Sequence, residues 1–152
     1  MSQRVEAPKV DHCNCFALRK ASRQISRFYD AQLQPTGLRI TQFLTLAILN
    51  EIGATPIMDL ADRLDIEKTA MGKMVNTLER DGLVGMHRSP TDGRSRIVTL
   101  TDAGRALFNQ AVPLWHQAQN AFAAVNDIGA IAALRPGFVL KTAPKTTAPQ
   151  PA

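Results

Sequence analysis

Two cysteines near the start of this chain are its side chains best suited to covalent chemistry. Cys13 and Cys15 are the only cysteines, and Arg19 follows Cys15 by one helical turn. A positive charge at that distance favours the thiolate, the form of cysteine that peroxides oxidise. Two thiols cannot form a disulfide framework, so we predict reduced side chains that are either idle or redox-sensing. We expect a disulfide between them to be strained, because both lie on a predicted helix, 12–33, where positions i and i+2 point apart.

Two other kinds of site remain open in the same region. The first is a soft metal site, although the ligand spacing matches no standard zinc pattern. Its candidate ligands are His12, Cys13, Cys15 and His116. The second is a basic stripe in which Arg19, Arg23 and Arg27 recur every fourth residue. This stripe either faces water, meets DNA phosphates or binds an anionic small molecule.

A second group of basic side chains surrounds a predicted turn. Ser89-Pro-Thr-Asp-Gly93 is rich in turn residues, and strand-forming side chains follow at Ile97–Leu100. This pattern predicts a β-hairpin with Asp-Gly supplying a positive φ at its tip. Arg94 would enter a narrow, electronegative minor groove of DNA, and Asp92 would hold its guanidinium. The hairpin's other arginines are Arg88 and Arg96.

The helix predicted just before this hairpin, about Glu67–Asp81, has two distinct faces. Met71, Val75 and Leu78 share one side and are expected to pack on the core. Short and polar side chains share the other, as contact with base edges in a major groove requires. The candidate DNA contacts are Lys68, Thr69, Ala70, Lys73 and Asn76. The alternative to DNA contact is an ordinary amphipathic helix whose polar face is exposed to water.

Apolar periodicity and caps place the other elements. Capping residues predict where two helices start. Thr41 is expected to cap the second helix, and Thr55 followed by Pro56 is expected to open the third. The stripe of the second helix is expected to be Phe43, Leu44, Ala47 and Ile48. The predicted helices are 12–33, 42–51, 55–63, 67–81, 102–124 and 130–134.

Composition and charge limit the function classes. The chain has 152 residues, a net charge of +5 and a pI near 9.7, which is compatible with a polyanionic partner. Residues 55–81, however, hold four bases against six acids, so phosphate attraction must come from elsewhere. No phosphate-binding glycine loop or nucleophile–base pair is present, so we expect neither an enzyme nor a bound cofactor. Without a signal peptide or membrane span, we expect a cytoplasmic protein.

The order helix, helix, basic hairpin, helix resembles the multiple-antibiotic-resistance regulator (MarR) family of bacterial transcription factors. The matching segments are Leu38-Arg-Ile-Thr-Gln-Phe-Leu44, Asp81-Gly-Leu-Val84, Asp92-Gly-Arg94 and Val98-Thr-Leu-Thr-Asp-Ala-Gly104. The resemblance covers about residues 12–124. It implies a homodimer that grips a pseudo-palindromic double-stranded DNA operator, with Asp92 and Arg94 in the wing. It also implies a repressor that is released by an effector, either a small molecule or oxidation of a cysteine.

Within that family, Cys13–Arg23 is similar to the first helix of the organic-hydroperoxide-resistance regulators. The similarity implies Cys15 as a peroxide-sensing residue in a stress response, with Tyr29 as a hydroxyl partner. The subgroup carries further tyrosines where this chain has Arg19 and Ile40. No third cysteine is present, so an oxidised Cys15 would need a small thiol or the partner subunit.

The sequence thus predicts a mainly α fold with a small β-hairpin wing, a winged helix-turn-helix. Residues 12–135 form the domain, with the winged helix at about 38–100 and dimerisation helices at about 12–33 and 102–134. Residues 1–11 and 136–152 are predicted to be disordered. The alternative function is a winged-helix protein-interaction module without DNA binding, which predicts no salt-dependent DNA affinity.

Overall fold

A computed structural model describes residues 5–140 of the chain. The predicted disorder of 1–11 and 136–152 falls partly outside this range and stays a prediction. In order, the elements are α1 (Asn14–Leu33), α2 (Ile40–Ile52), β1 (Thr55–Pro56), α3 (Ile57–Leu64), α4 (Lys68–Arg80), β2 (Val84–Arg88), β3 (Arg96–Leu100), α5 (Asp102–Ala123) and α6 (Ile128–Ala133). No helix among the described residues is long and apolar enough to cross a bilayer.

The starts of the first two helices differ from the sequence-based expectation. Cys13 has extended backbone angles and is the N-cap of α1, so it lies outside the helix that contains Cys15. The two cysteines are therefore not both helical, and the strain expected of a disulfide between them does not follow. In α2 the N-cap is Arg39, whose amide donates to the Gln42 side chain at 3.0 Å. Thr41, predicted as the cap, is inside the helix.

Thr55 and Pro56 were predicted to open the third helix. They form the short strand β1 instead, and the helix begins at Ile57. β1 pairs antiparallel with β3, with Thr55 opposite Val98. β2 pairs with the other side of β3, giving the order β1-β3-β2. Proline is tolerated here because β1 is an edge strand. The predicted hairpin is thus part of a three-stranded sheet.

The core lies between α2, α3, α4, the sheet and the first half of α5. An aromatic stack ties two of these helices together: the Phe43 ring lies 5.3 Å from Phe108 and 5.9 Å from Trp115. On α2, Phe43 and Ile48 of the expected stripe are buried, but Leu44 is exposed and Thr45 is fully buried in its place. Thr45 is accommodated because its hydroxyl donates to the Thr41 carbonyl at 2.9 Å.

The junction between α4, the hairpin and α5 is closely packed. Gly82 ends α4 with a φ of 75°, and the Leu83 amide donates back to the Leu78 carbonyl at 2.9 Å. Thr101 caps α5 by accepting from the Gly104 amide at 3.0 Å. Its hydroxyl also donates to the Gly82 carbonyl at 2.7 Å. These bonds fix the base of the hairpin relative to α4.

Helix α1 contacts the body of the molecule only near its end. Tyr29 and Leu33 are its buried residues, and the Tyr29 hydroxyl donates to the side chain of Gln119 on α5. Burial raises the pKa of Tyr29. Further toward the N-terminus, an open apolar groove of about 670 Å³ separates α1 from α5 and α6.

Candidate nucleic-acid interface

Helices α3 and α4 form the predicted helix-turn-helix. The turn between them depends on Asp65, which has a left-handed φ of 51°. Its neighbour Ile66 donates an amide hydrogen bond to the Ala61 carbonyl at 2.9 Å, closing the end of α3. Aspartate tolerates this backbone region better than most residues. The turn aims the start of α4 outward.

Helix α4 divides into a buried and an exposed face, as predicted. Met71, Val75 and Leu78 have no exposed surface and pack in the core. The side chains proposed to read bases are all exposed along the opposite face. They are Lys68, Thr69, Ala70, Lys73 and Asn76. No side chain lies within 4 Å of the point where a Cβ on Gly72 would sit, so this part of the surface is low and open.

The start of α2 lies beside α4, although the sequence predicted no contact between them. Arg39 and Thr41 line one cleft with Lys73 and Thr77, and the cleft measures about 470 Å³. Arg39 is held by an ion pair of 3.5 Å with Asp30. Only tertiary packing brings α2 to α4, so no local pattern could have revealed it. The contact places Arg39, which is paired with Asp30, beside Lys73 on the exposed side of α4.

The tip of the hairpin is closed by side chains rather than by a positive φ. The Ser89 hydroxyl accepts from the Thr91 and Asp92 amides, each at 3.3 Å. The Asp92 carboxylate accepts from the backbone amide of Arg94 at 3.0 Å, not from its guanidinium as expected. Gly93 has no positive φ. Asp92 therefore shapes the loop backbone, and the exposed Arg94 guanidinium is left to reach outward.

Arg88 and Arg96 lie directly opposite each other on β2 and β3. Both are exposed, and neither has a carboxylate within ion-pair distance among residues 5–140. Like charges in opposed strand positions repel, which destabilises an isolated hairpin. An anion between or beside the two side chains would remove that repulsion. With Arg94 they form a basic surface at the tip end of the hairpin.

The sequence-predicted effector residues are not brought together within one chain. Cys13, Cys15 and Arg19 are exposed at the start of α1. Tyr29 lies on the same helix, about 21 Å further along its axis, and bonds to α5 instead. No three His, Cys, Asp or Glu side chains among the described residues could together hold a metal ion. The alternative metal site with His12 and His116 does not form in that part of the chain.

Comparison with known proteins agrees with this geometry. The sequence model of the MarR family matches residues 38–95, from the start of α2 to the wing tip. The structure of the Mycobacterium tuberculosis transcriptional regulator MosR in complex with DNA is 36% identical, with a TM-score of 0.72. That alignment covers 80% of this chain and 90% of MosR. The chain belongs to the MarR family.

Two further relatives support this placement. The organic hydroperoxide resistance transcriptional regulator of Bacillus subtilis is 26% identical over 114 residues, covering 75% of this chain and 78% of that protein. A second relative is the M. tuberculosis HTH-type transcriptional repressor Rv2887. It is 35% identical over 81 residues, covering 53% of this chain and 58% of that protein. This MarR-family chain is accordingly a winged-helix, DNA-binding transcriptional regulator, and the protein-interaction alternative is not supported.

Proposed function

We propose that the chain acts as a homodimeric repressor whose α4 enters the major groove of a pseudo-palindromic operator. The observation that supports this most is the division of α4. Its apolar side is fully buried, and its exposed side carries short and polar side chains suited to approach base edges. A dimer presents two such helices, which matches the symmetry of a palindrome. Occupying a promoter in this way would block transcription.

Within this proposal the residues of α4 have two roles. Lys73 and Asn76 reach base edges, because they lie on the exposed side and carry long or amide side chains. Lys68 and Thr69 contact phosphate or sugar near the start of the helix, and Ala70 leaves room for close approach. The acidic balance of residues 55–81 means that these contacts alone cannot supply the affinity.

The wing supplies sequence-independent affinity. Arg94 enters the minor groove, while Arg88 and Arg96 contact phosphates that relieve their mutual repulsion. Asp92 contributes indirectly by holding the Arg94 backbone in place. Affinity from such contacts falls steeply with salt, because each neutralised phosphate releases counterions.

The dimer surface in this proposal is the open groove between α1, α5 and α6. Leu18, Ile131 and Leu134 line it and remain 42%, 38% and 43% exposed in the single chain. Apolar groups exposed together along a groove usually mark an interaction surface. The short α6 leaves α1 and α5 to supply most of the contact.

For the effector we propose oxidation of Cys15 by an organic hydroperoxide. The exposed thiols and the neighbouring Arg19 support this, as does similarity to a regulator named for organic hydroperoxide resistance. The Cys15 thiolate would attack the peroxide oxygen, giving a sulfenic acid and releasing the alcohol. A small thiol, the partner subunit or Cys13 could then form a disulfide with loss of water. The Tyr29 hydroxyl takes part in this reaction only if dimer formation brings the Tyr29 of one subunit close to the Cys15 of the other.

The test is an anisotropy titration on DNA from upstream of the chain's own gene. It compares reduced protein, protein treated with cumene hydroperoxide, and the variants Cys15→Ser and Cys13→Ser. We expect tight binding when reduced, and release by peroxide in every protein except Cys15→Ser. Tight binding that ignores peroxide would reject the thiol effector and retain the repressor. If the upstream DNA is not bound, the protein is used to select fragments from genomic DNA. Failure to select any specific sequence would reject the operator proposal.

The location of the protein and its lack of catalytic activity follow from its proposed role as a DNA-binding repressor. The chain works in the cytoplasm, where bacterial DNA lies. It has no catalytic activity of its own, and its output is occupancy of DNA. Assays for hydrolysis or peroxide turnover beyond one equivalent per thiol should give no signal.

A further inference from the structure

The first half of α1 carries a basic face that DNA reading does not use. Phe16, Arg19, Lys20, Arg23, Gln24 and Arg27 line one cleft of about 320 Å³ on this face. Four of these six side chains are cations within a few turns of helix. Arginines four residues apart repel each other, so this arrangement destabilises the isolated helix. An anionic occupant would reverse that effect.

Within residues 5–140, no carboxylate lies within ion-pair distance of the four cations of this face. Within residues 5–140 the ion pairs join Arg39 to Asp30, Arg63 to Glu51, and Arg80 to Asp81. Asp30, the one acid of α1, also accepts from the Ile40 amide at 2.7 Å. The sequence outside the described range, 1–4 and 141–152, contains no aspartate or glutamate. Among the described residues, the face therefore keeps its positive charge and is free to attract an anion.

The operator is poorly placed to supply that charge. Gln42 lines one cleft with Lys73 of α4 and another with Leu107 of α5. From Leu107, α5 runs about 18 Å along its axis to Gln119, whose side chain accepts a hydrogen bond from Tyr29 of α1. From Tyr29 toward its N-terminus, α1 runs on past Phe122 to the groove formed with α6. The basic face thus lies well above the level of the reading helix.

We propose that this cleft binds a small organic polyanion with a planar ring, of which a nucleoside phosphate is the simplest class. Guanidinium groups bind phosphate through paired hydrogen bonds, and three arginines are available. The exposed Phe16 ring lies within the same cleft and offers a face on which a planar ring can stack. The cleft volume is at the small end of ligand sites, which suits such a molecule. The inference does not depend on any DNA contact.

The experiment is isothermal titration calorimetry with ATP as the probe at about 150 mM salt, where non-specific surface attraction is screened. Inorganic triphosphate and adenosine are the comparators. Arg23→Gln should weaken ATP binding about tenfold, and Arg135→Gln, an exposed arginine outside the cleft, should leave it unchanged. Phe16→Ala should weaken ATP but not triphosphate. Circular dichroism checks that each variant is folded.

Three results would overturn the proposal. The first is no heat with ATP or triphosphate at millimolar concentration. The second is equal loss in the Arg23 and Arg135 variants, which would indicate general charge attraction. The third is a changed dimer dissociation in Arg23→Gln without any ATP binding, which would show that a second copy covers the face. Operator affinity, measured separately, tells whether the repressor proposal stands independently.

Discussion

Gly104 on α5 packs so tightly against Leu83 that a Cβ at residue 104 would overlap the carbonyl oxygen of Leu83. The same Cβ would lie 2.8 Å from the Leu100 side chain. The Leu83 carbonyl also accepts from the Thr101 amide at 3.2 Å, so it cannot swing away freely. This contact joins the end of α4 to the start of α5 and sets the base of the wing.

The Gly104→Ala substitution should therefore destabilise the fold by about 1–3 kcal/mol, the usual cost of overpacking a rigid site. Chemical denaturation measures it. Gly72→Ala is the matched control, because nothing lies within 4 Å of its Cβ position and alanine is favoured in a helix. Equal stability of the two variants would contradict the close approach.

Removing the Arg94 guanidinium should weaken operator binding without changing sequence preference. Arg94→Ala is expected to lower affinity broadly and to reduce the slope of log affinity against log salt by about one. Anisotropy titrations between low and physiological salt measure both quantities. Arg135→Ala serves as the charge-matched control. Unchanged affinity of Arg94→Ala at physiological salt would reject the wing assignment.

Replacing the opposed pair should give a more specific signature. Arg88→Gln and Arg96→Gln should each weaken DNA binding, yet either one should stabilise the free protein slightly, because the cross-strand repulsion is lost. Thermal unfolding and DNA titration on the same samples test this. A loss of stability in both variants would show that the two guanidinium groups do not repel each other appreciably in the free protein.

Changes on the exposed side of α4 should alter which bases are preferred. Asn76→Ala and Lys73→Ala are each expected to lose about 1–3 kcal/mol of discrimination at one position of each half-site. Binding to a library of operator variants measures the change. Glu79→Ala, exposed near the end of the same helix, is the control. A uniform loss across all sequences would indicate phosphate contact instead.

Tyr29 should make the fold sensitive to alkali. Burial raises its pKa above the ordinary value near 10, because the neutral phenol is favoured in the packed state. Its stability contribution is complete below that ordinary value and is lost as pH rises through the higher folded value. The chain has one tyrosine, so ultraviolet absorbance follows its ionisation directly. Tyr29→Phe should remove this part of the alkaline loss.

The sequence determined the elements whose patterns are local. The two faces of α4 follow from apolar residues at helical spacing, and Gly82 with Thr101 ends one helix and starts another by backbone rules. Turn residues around Ser89–Gly93 located the wing. These features depend on neighbours within a few residues, so they could be read before any packing was known.

Tertiary structure decided what long-range contacts control. Thr55 and Pro56 carry a good helix-start pattern, yet pairing with β3 makes them a strand, because sheet hydrogen bonds outweigh a local preference. Arg39 lies beside Lys73 of α4 only because α2 packs against that helix. Asp92 bonds to a backbone amide rather than to the guanidinium. The basic face of α1 was visible as a stripe, but its distance from α4 depends on how α1 packs on α5. Such contacts join residues far apart in sequence, and their geometry is set by the whole core.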